Sequence, residues 1–200
     1  MTAFASVTLE VPAAADAFYH AFGLTPYVNV RHADTGTDGS RSYALSLVAA
    51  QPGDVDALMA IAVENGATTL KPATKSFWGY GGVVRAPDGA IFKIASSRKK
   101  DTGPASPRIE QVALLLGVSD VKASKRFYTE RGLAVAKSFG GKYVEFARQA
   151  SPVTLALYPR RALAKDTGVP QEGPGPHGLV LGGDAGPCTD PDGFVWEPAS

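Results

Sequence analysis

Apolar and polar residues alternate from Ala5 to Val11, which puts Val7, Leu9 and Val11 on one face and predicts a strand. Pro12 stops it. Ala13 to Phe22 then reads as a short alanine-rich helix, with Phe18 and Phe22 four residues apart on one side and Tyr19 beside them. Gly23 ends the helix. Tyr27–Arg31 reads as a strand, residues 32–41 as a polar loop, and Ser42–Ala49 as a further strand. Asp54 is the expected cap of a helix to Glu64 whose buried side carries Val55, Leu58, Ile61 and Ala62. Thr68–Leu70 opens a strand that leads through Lys71–Ser76 into an aromatic, glycine-rich run. That run, Phe77 to Arg85, enters a strand, turns at Pro87-Asp88-Gly89 and returns as Ile91–Ser96. Pro87 presets φ, and Gly89 takes a φ that other residues resist.

Residues 97–108 have no apolar period and carry two prolines, the composition of a linker. A strand at Ile109–Leu116 follows. Ser119 or Asp120 caps a helix to Arg131 with Val121, Ser124, Phe127 and Tyr128 inward. Strands are expected at Val135–Ser138, Tyr143–Ala147 and Val153–Tyr158. Arg160–Pro176 is a long loop with a helical start and a Gly-Pro-Gly-Pro end. Leu179–Leu181 is a short strand before the C-terminal hairpin.

The pattern repeats. Pro87-Asp88-Gly89 matches Pro191-Asp192-Gly193, Phe92 matches Trp196, and Ala95-Ser96 matches Ala199-Ser200. Val7-Thr8-Leu9, Phe18-Tyr19 and Gly23-Leu24 match Val112-Ala113-Leu114, Phe127-Tyr128 and Gly132-Leu133. Two related halves follow, each opening strand–helix and closing on the hairpin. The one chemically large difference is Lys93 against Glu197.

Composition narrows the partners. A net charge of +1 argues for neither nucleic acid nor an anionic membrane. The single cysteine, Cys188, excludes an internal disulfide framework and a multi-cysteine metal site. The N-terminus has no basic start followed by an apolar core, and no apolar run reaches transmembrane length, so a cytoplasmic protein is expected.

The order strand–helix–three strands, with Phe-Tyr near the helix end, Gly-Leu after it and Phe-Trp-Gly-Tyr…Pro-Asp-Gly…Lys-Ile at the close, resembles the glyoxalase/bleomycin-resistance/extradiol-dioxygenase superfamily, also called the vicinal oxygen chelate fold. The resemblance implies an α+β protein: tandem βαβββ modules forming cupped mixed β-sheets with helices on the outside. Residues 1–41 look like an abridged module, 42–98 and 109–160 like complete ones. Residues 177–200 keep a module's first and last strands and lack its helix. The expected organisation is two closely packed units, 1–98 and 109–200, joined by a linker at 99–108. The alternative is that the two complete central modules share one sheet. Members of the family often pair, which raises a homodimer as an expectation.

Metal-binding members use a His near the start of a module's first strand and a Glu in its last. Here the first-strand positions read Ser6 and Gln111, and the last-strand positions Lys93 and Glu197, with Tyr158 closing the complete second-half module. A lysine repels a cation. Only His177 and Glu197 remain as weak metal candidates, so no cofactor is expected. The favoured function is binding of a small apolar or aromatic molecule without metal-dependent catalysis, through Phe77, Trp78, Tyr80, Gln111, Trp196 and Glu197. The alternatives are a divalent-metal-dependent lyase, isomerase or dioxygenase, and an interaction or regulatory protein that keeps only the fold.

Overall fold

The structure, a computed structural model, describes residues 4–33, 42–148, 151–171, 177–184 and 186–198. Most of the polar loop 32–41, the Gly-Pro-Gly-Pro run and the Ala199-Ser200 match lie outside the described residues. Among the described residues no helix is long and apolar enough to cross a membrane.

The elements follow the hydrophobic pattern. β1 (Phe4–Val11) runs through a single 3-10 turn at Ala13–Ala15 into α1 (Asp16–Ala21), and β2 (Asn29–His32) follows. Next come β3 (Tyr43–Val48), α2 (Pro52–Glu64), β4 (Thr68–Ser76), β5 (Gly79–Arg85) and β6 (Ile91–Ser96). After the linker stand β7 (Gln111–Val118), α3 (Val121–Glu130), β8 (Val135–Ser138), β9 (Val144–Phe146) and β10 (Val153–Pro159). α4 (Arg160–Thr167), β11 (Leu179–Gly183), β12 (Cys188–Thr189) and β13 (Val195–Glu197) complete the chain.

Asp120 caps α3 as expected, its carboxylate accepting from the Lys122 and Ala123 amides. Asp54 does not cap α2. The cap is Gln51, with Pro52 in the first turn, because a proline there gives up an amide that has no helical partner. Asp54 is buried instead and accepts from the Ser106 amide and from Gln51, pinning the linker to the helix.

The protein is α+β, with two mixed sheets and four α-helices among the described residues. The larger sheet has the order β4-β5-β6-β3-β7-β10-β9-β8, the smaller β12-β13-β11-β1-β2. Each sheet therefore draws strands from both halves. The two complete central modules share the larger sheet through antiparallel β3 and β7, Leu45 facing Leu114. This corrects the expectation of two units each with its own sheet. An isolated half would leave β1 and β3 as bare apolar edges, and crossing over pairs each with its counterpart.

The crossing obeys an internal two-fold correspondence. β1 is parallel to β2 and antiparallel to β11; β7 is parallel to β10 and antiparallel to β3. β3 is parallel to β6, itself antiparallel to β5; β11 is parallel to β13, itself antiparallel to β12. The two Pro-Asp-Gly turns join corresponding strands with one backbone pattern. Gly89 N–H bonds to Ala86 O and Gly193 N–H to Asp190 O, and both glycines sit at φ 90°.

The repeated residues are those that meet. In the first half Phe18 and Tyr19 of α1 and Phe22 at its C-cap pack on Phe92, and the Tyr19 hydroxyl donates to Asp88 at 3.0 Å. In the second half Tyr128 packs on Trp196 and donates to Asp190 at 2.6 Å. Phe127, expected in the core, is half-buried, with the Arg131 guanidinium over its ring.

Burial is the main force pushing the Asp190 carboxyl above the usual carboxylate range, and the Tyr128 bond opposes it. Tyr128→Phe should therefore cost about 1–3 kcal/mol near neutral pH, read by urea unfolding. Asp190's pKa is raised on folding, so the native state holds this proton more tightly than the unfolded chain. Its contribution is fully present below the unfolded pKa and fades as pH rises through the raised value. The variant's deficit should shrink as pH is lowered through that window; a deficit independent of pH would contradict the assignment.

Candidate functional site

One face of the larger sheet carries α1, α2 and α3 and joins the smaller sheet in a single apolar core. The opposite face is partly covered by α4, whose Leu163 sits over Ala44, Leu115 and Ala156. Where α4 stops, a cleft of about 700 Å³ opens over β4, β5 and β6, inside the range of small-molecule sites.

Strand register places the cleft's side chains. Lys71 of β4 faces Val83 of β5, which faces Lys93 of β6, so two lysines flank a valine in one row. The next row on this face is small: Thr74, Gly81, Ala95. A Cβ on Gly81 would stand 2.7 Å from the Ile94 carbonyl, so the flat floor is bound up with strand contact. At the far end the chain turns through Phe77 and Trp78 between Ser76 and Gly79. Ser76 Oγ accepts the Trp78 amide and donates to Gly79 O. Gly79 has φ +139°, and a Cβ there would lie 2.0 Å from Ser96 O, so no other residue fits.

The end of α4 forms the remaining wall. Lys71 Nζ donates to the carbonyls of Lys165 and Asp166, which a cation at a helix C-terminus suits. Lys93 Nζ is bonded to the Asp166 carboxylate. Tyr158 lines the cleft beside Asp166; burial first, then Asp166 and Glu145, raise its hydroxyl above the ordinary tyrosine value.

The sequence-derived candidates are only partly brought together. Trp78 borders the cleft and is 84% exposed. Phe77 is equally bare but lies outside the cleft lining, edge-on to Trp78 and under Lys99. Neither is core. Tyr80 borders the cleft, but its hydroxyl is bound to Asp56 of α2, a bond that raises its pKa. Gln111 shares the face of Ala95 but lies two strands away, its amide directed at Thr154. Trp196 is not a ligand residue: it is 1% exposed in the closed core between Phe4 and Tyr128. Glu197 lies in the other sheet.

The metal candidates separate as well. His177 aligns with the Asp192 turn, where its ring stacks on Phe194 and Nε2 donates to Asp192 O. Glu197 pairs with Gly182 near the far end of β11, whereas His177 lies before the start of that strand. Glu197 and Glu10 both hold the Arg31 guanidinium, and these bonds raise the Arg31 pKa. Ser6 lies against Gly182 in that sheet, while Gln111, Lys93 and Tyr158 belong to the larger one. A divalent ion fits neither donor set: one centres on an arginine, the other on lysines. Among the described residues no three His, Cys, Asp or Glu side chains cluster as a metal site.

Sequence reasoning missed Lys71 and Asp166. Register shifts on either side of Lys71 set it against Val83, and Asp166 comes from a helix distant in the chain, so neither carried a signal in the sequence.

No family model and no curated protein matches the chain. Solved structures do. Glyoxalase I from Zea mays is similar with TM-score 0.56 at 15% identity, over 98% of this chain and 91% of that one. A protein of Bacillus subtilis subsp. subtilis str. 168 described as a dioxygenase is similar with TM-score 0.52 at 10% identity, over 90% of this chain and 69% of that one. At these identities the likeness is one of fold.

Proposed function

Because the chain has the fold of the glyoxalase/bleomycin-resistance/extradiol-dioxygenase superfamily, we propose that it binds a small, flat, largely apolar molecule in the cleft over β4, β5 and β6, without metal-dependent catalysis. The observation that carries this reading is an uncovered indole at the mouth of a cleft floored by Gly81 and Ala95. An exposed indole forfeits the burial that normally offsets its apolar area, and a ligand ring laid against it restores that burial. The floor lacks bulky side chains, so a planar ring can approach the strand backbone. Lys93 stands where metal-binding relatives are expected to carry an acidic ligand, which supports binding over metal chemistry.

Fluorescence tests it directly. The chain has two tryptophans, and Trp78 is the exposed one. Titration of chelator-treated protein with a library of bicyclic aromatics should quench or shift its emission. Trp78→Ala should weaken the best binder by about 1–3 kcal/mol. The same variant should keep its unfolding free energy within about 0.5 kcal/mol, as an exposed surface change does. Binding that requires added divalent metal, or no response from any compound, would remove the proposal.

A further inference from the structure

We infer that the ligand of this cleft is an aromatic acid, its ring over the Gly81–Ala95 floor and its carboxylate at the lysine row. This rests on the binding reading above and adds the ligand's charge.

The register is what produces the row. Lys71, Val83 and Lys93 lie side by side across three adjacent strands, so two ammonium groups face the same cleft with one valine between them. Two ammonium groups in one row repel across the intervening strand, and an anion placed near both relieves that repulsion. The only carboxylate lining the cleft among the described residues is Asp166, bonded to Lys93. Lys71 meets backbone carbonyls of the same helix end. One carboxylate against two ammonium groups leaves the lining with an excess positive charge. The protons are not used up: each ammonium has three donors, of which Lys71 commits two to carbonyls. Lys93 keeps a half-buried position, 22% exposed, where a charge-assisted bond is screened less than at an open surface.

Geometry sets the shape of the acid. From the lysine row at Val83 to the Trp78–Gly79 turn is four residues of β5, roughly 13 Å at strand rise. A bicyclic ring with one carboxylate spans that floor with its acid at the lysines and its far edge at the indole. Asp166 then acts as a resident counter-ion that competes with the ligand's carboxylate for Lys93.

The test uses three probes of one shape: 2-naphthoate, 2-naphthalenemethanol and 2-naphthylmethylammonium, each titrated into the full chain and into two variants. Naphthoate should bind at least tenfold tighter than the alcohol, and the ammonium weakest. Lys93→Met and Asp166→Asn both break the same ion pair, yet should act oppositely. Lys93→Met should weaken naphthoate about tenfold, and Asp166→Asn should tighten it severalfold. A purely structural role for the pair would move both variants in one direction, and that result overturns the inference. Equal binding of acid and alcohol overturns it too while leaving the aromatic cleft standing. If none of the three probes binds, the binding reading falls and the charge inference with it.

Discussion

Trp196→Ala should lower the unfolding free energy by about 3–5 kcal/mol, the cost of truncating a fully buried aromatic to a cavity. The indole is 1% exposed, edge-on to Phe4 with centroids 6.0 Å apart and tilted against Tyr128 at 5.6 Å. It sits on β13, a three-residue strand with little ladder of its own, so the ring supplies much of what holds that strand to α3. For a chain of this length the loss corresponds to a fall in Tm of roughly 6–20 °C. Urea unfolding followed by far-UV circular dichroism reads it without relying on tryptophan emission. A loss under about 1 kcal/mol would mean that the ring lines an open site, as its sequence alone suggested. The contrast with Trp78 is the point of the pair: the same residue type, truncated on the β4–β5 turn, should leave the fold nearly untouched.

Asp192→Ala is expected to cost about 3 kcal/mol. Its side chain is 1% exposed, and it ties the β12–β13 turn to two helices outside the smaller sheet, α3 and α4. Oδ1 accepts from the Ser119 amide at 2.8 Å and from Arg160 Nη2 at 2.7 Å, and Oδ2 accepts from Ser124 Oγ at 3.2 Å. Removing it strands donors at the starts of α3 and α4 together. Breaking a buried ion pair by deleting one partner costs about 3–5 kcal/mol, and the lower end applies because Arg160 is 30% exposed and can turn to water. Asp192→Asn keeps an oxygen acceptor for Ser119 and should lose clearly less. Equal losses for the two variants would show that the charge, not the hydrogen bonds, holds the joint. A negligible loss in both would show that the turn does not bind the sheets together.

Much of the local structure was legible because it is encoded locally. Period-two alternation marks β1, a continuous apolar run marks β7, and the Asp120 cap marks α3. Pro-Asp-Gly marks both turns because proline and glycine supply the two φ values that such a turn needs. The repeat was legible for a deeper reason: Phe18-Tyr19 and Phe92, like Tyr128 and Trp196, are contact partners, so the residues that recur are those that must fit one another.

The candidate site was less legible, since composition does not say which side of a wall a ring occupies. Trp78, on the turn between β4 and β5, and Trp196, within β13 just after a Pro-Asp-Gly turn, both stand in aromatic, turn-rich sequence, and only packing buries one and bares the other. His177 and Glu197 are both in the last segment, but His177 is held at the β12–β13 turn while β13 carries Glu197 away from it at about 3.3 Å per residue.

The sequence by itself determined the elements, the two-half repeat and the turns, because each depends on side-chain period and backbone preference within a few residues. Only the tertiary structure decided that β3 pairs with β7 and β1 with β11, since apolar strand edges offer the same hydrogen bonds to any suitable partner. The same register across three strands, and the bulges in β4 that shift it, brought Lys71 and Lys93 to one row beneath the end of α4. No local rule places residues from two strands and a distant helix in one cleft, because their meeting is fixed by long-range pairing and burial rather than by neighbours in the chain.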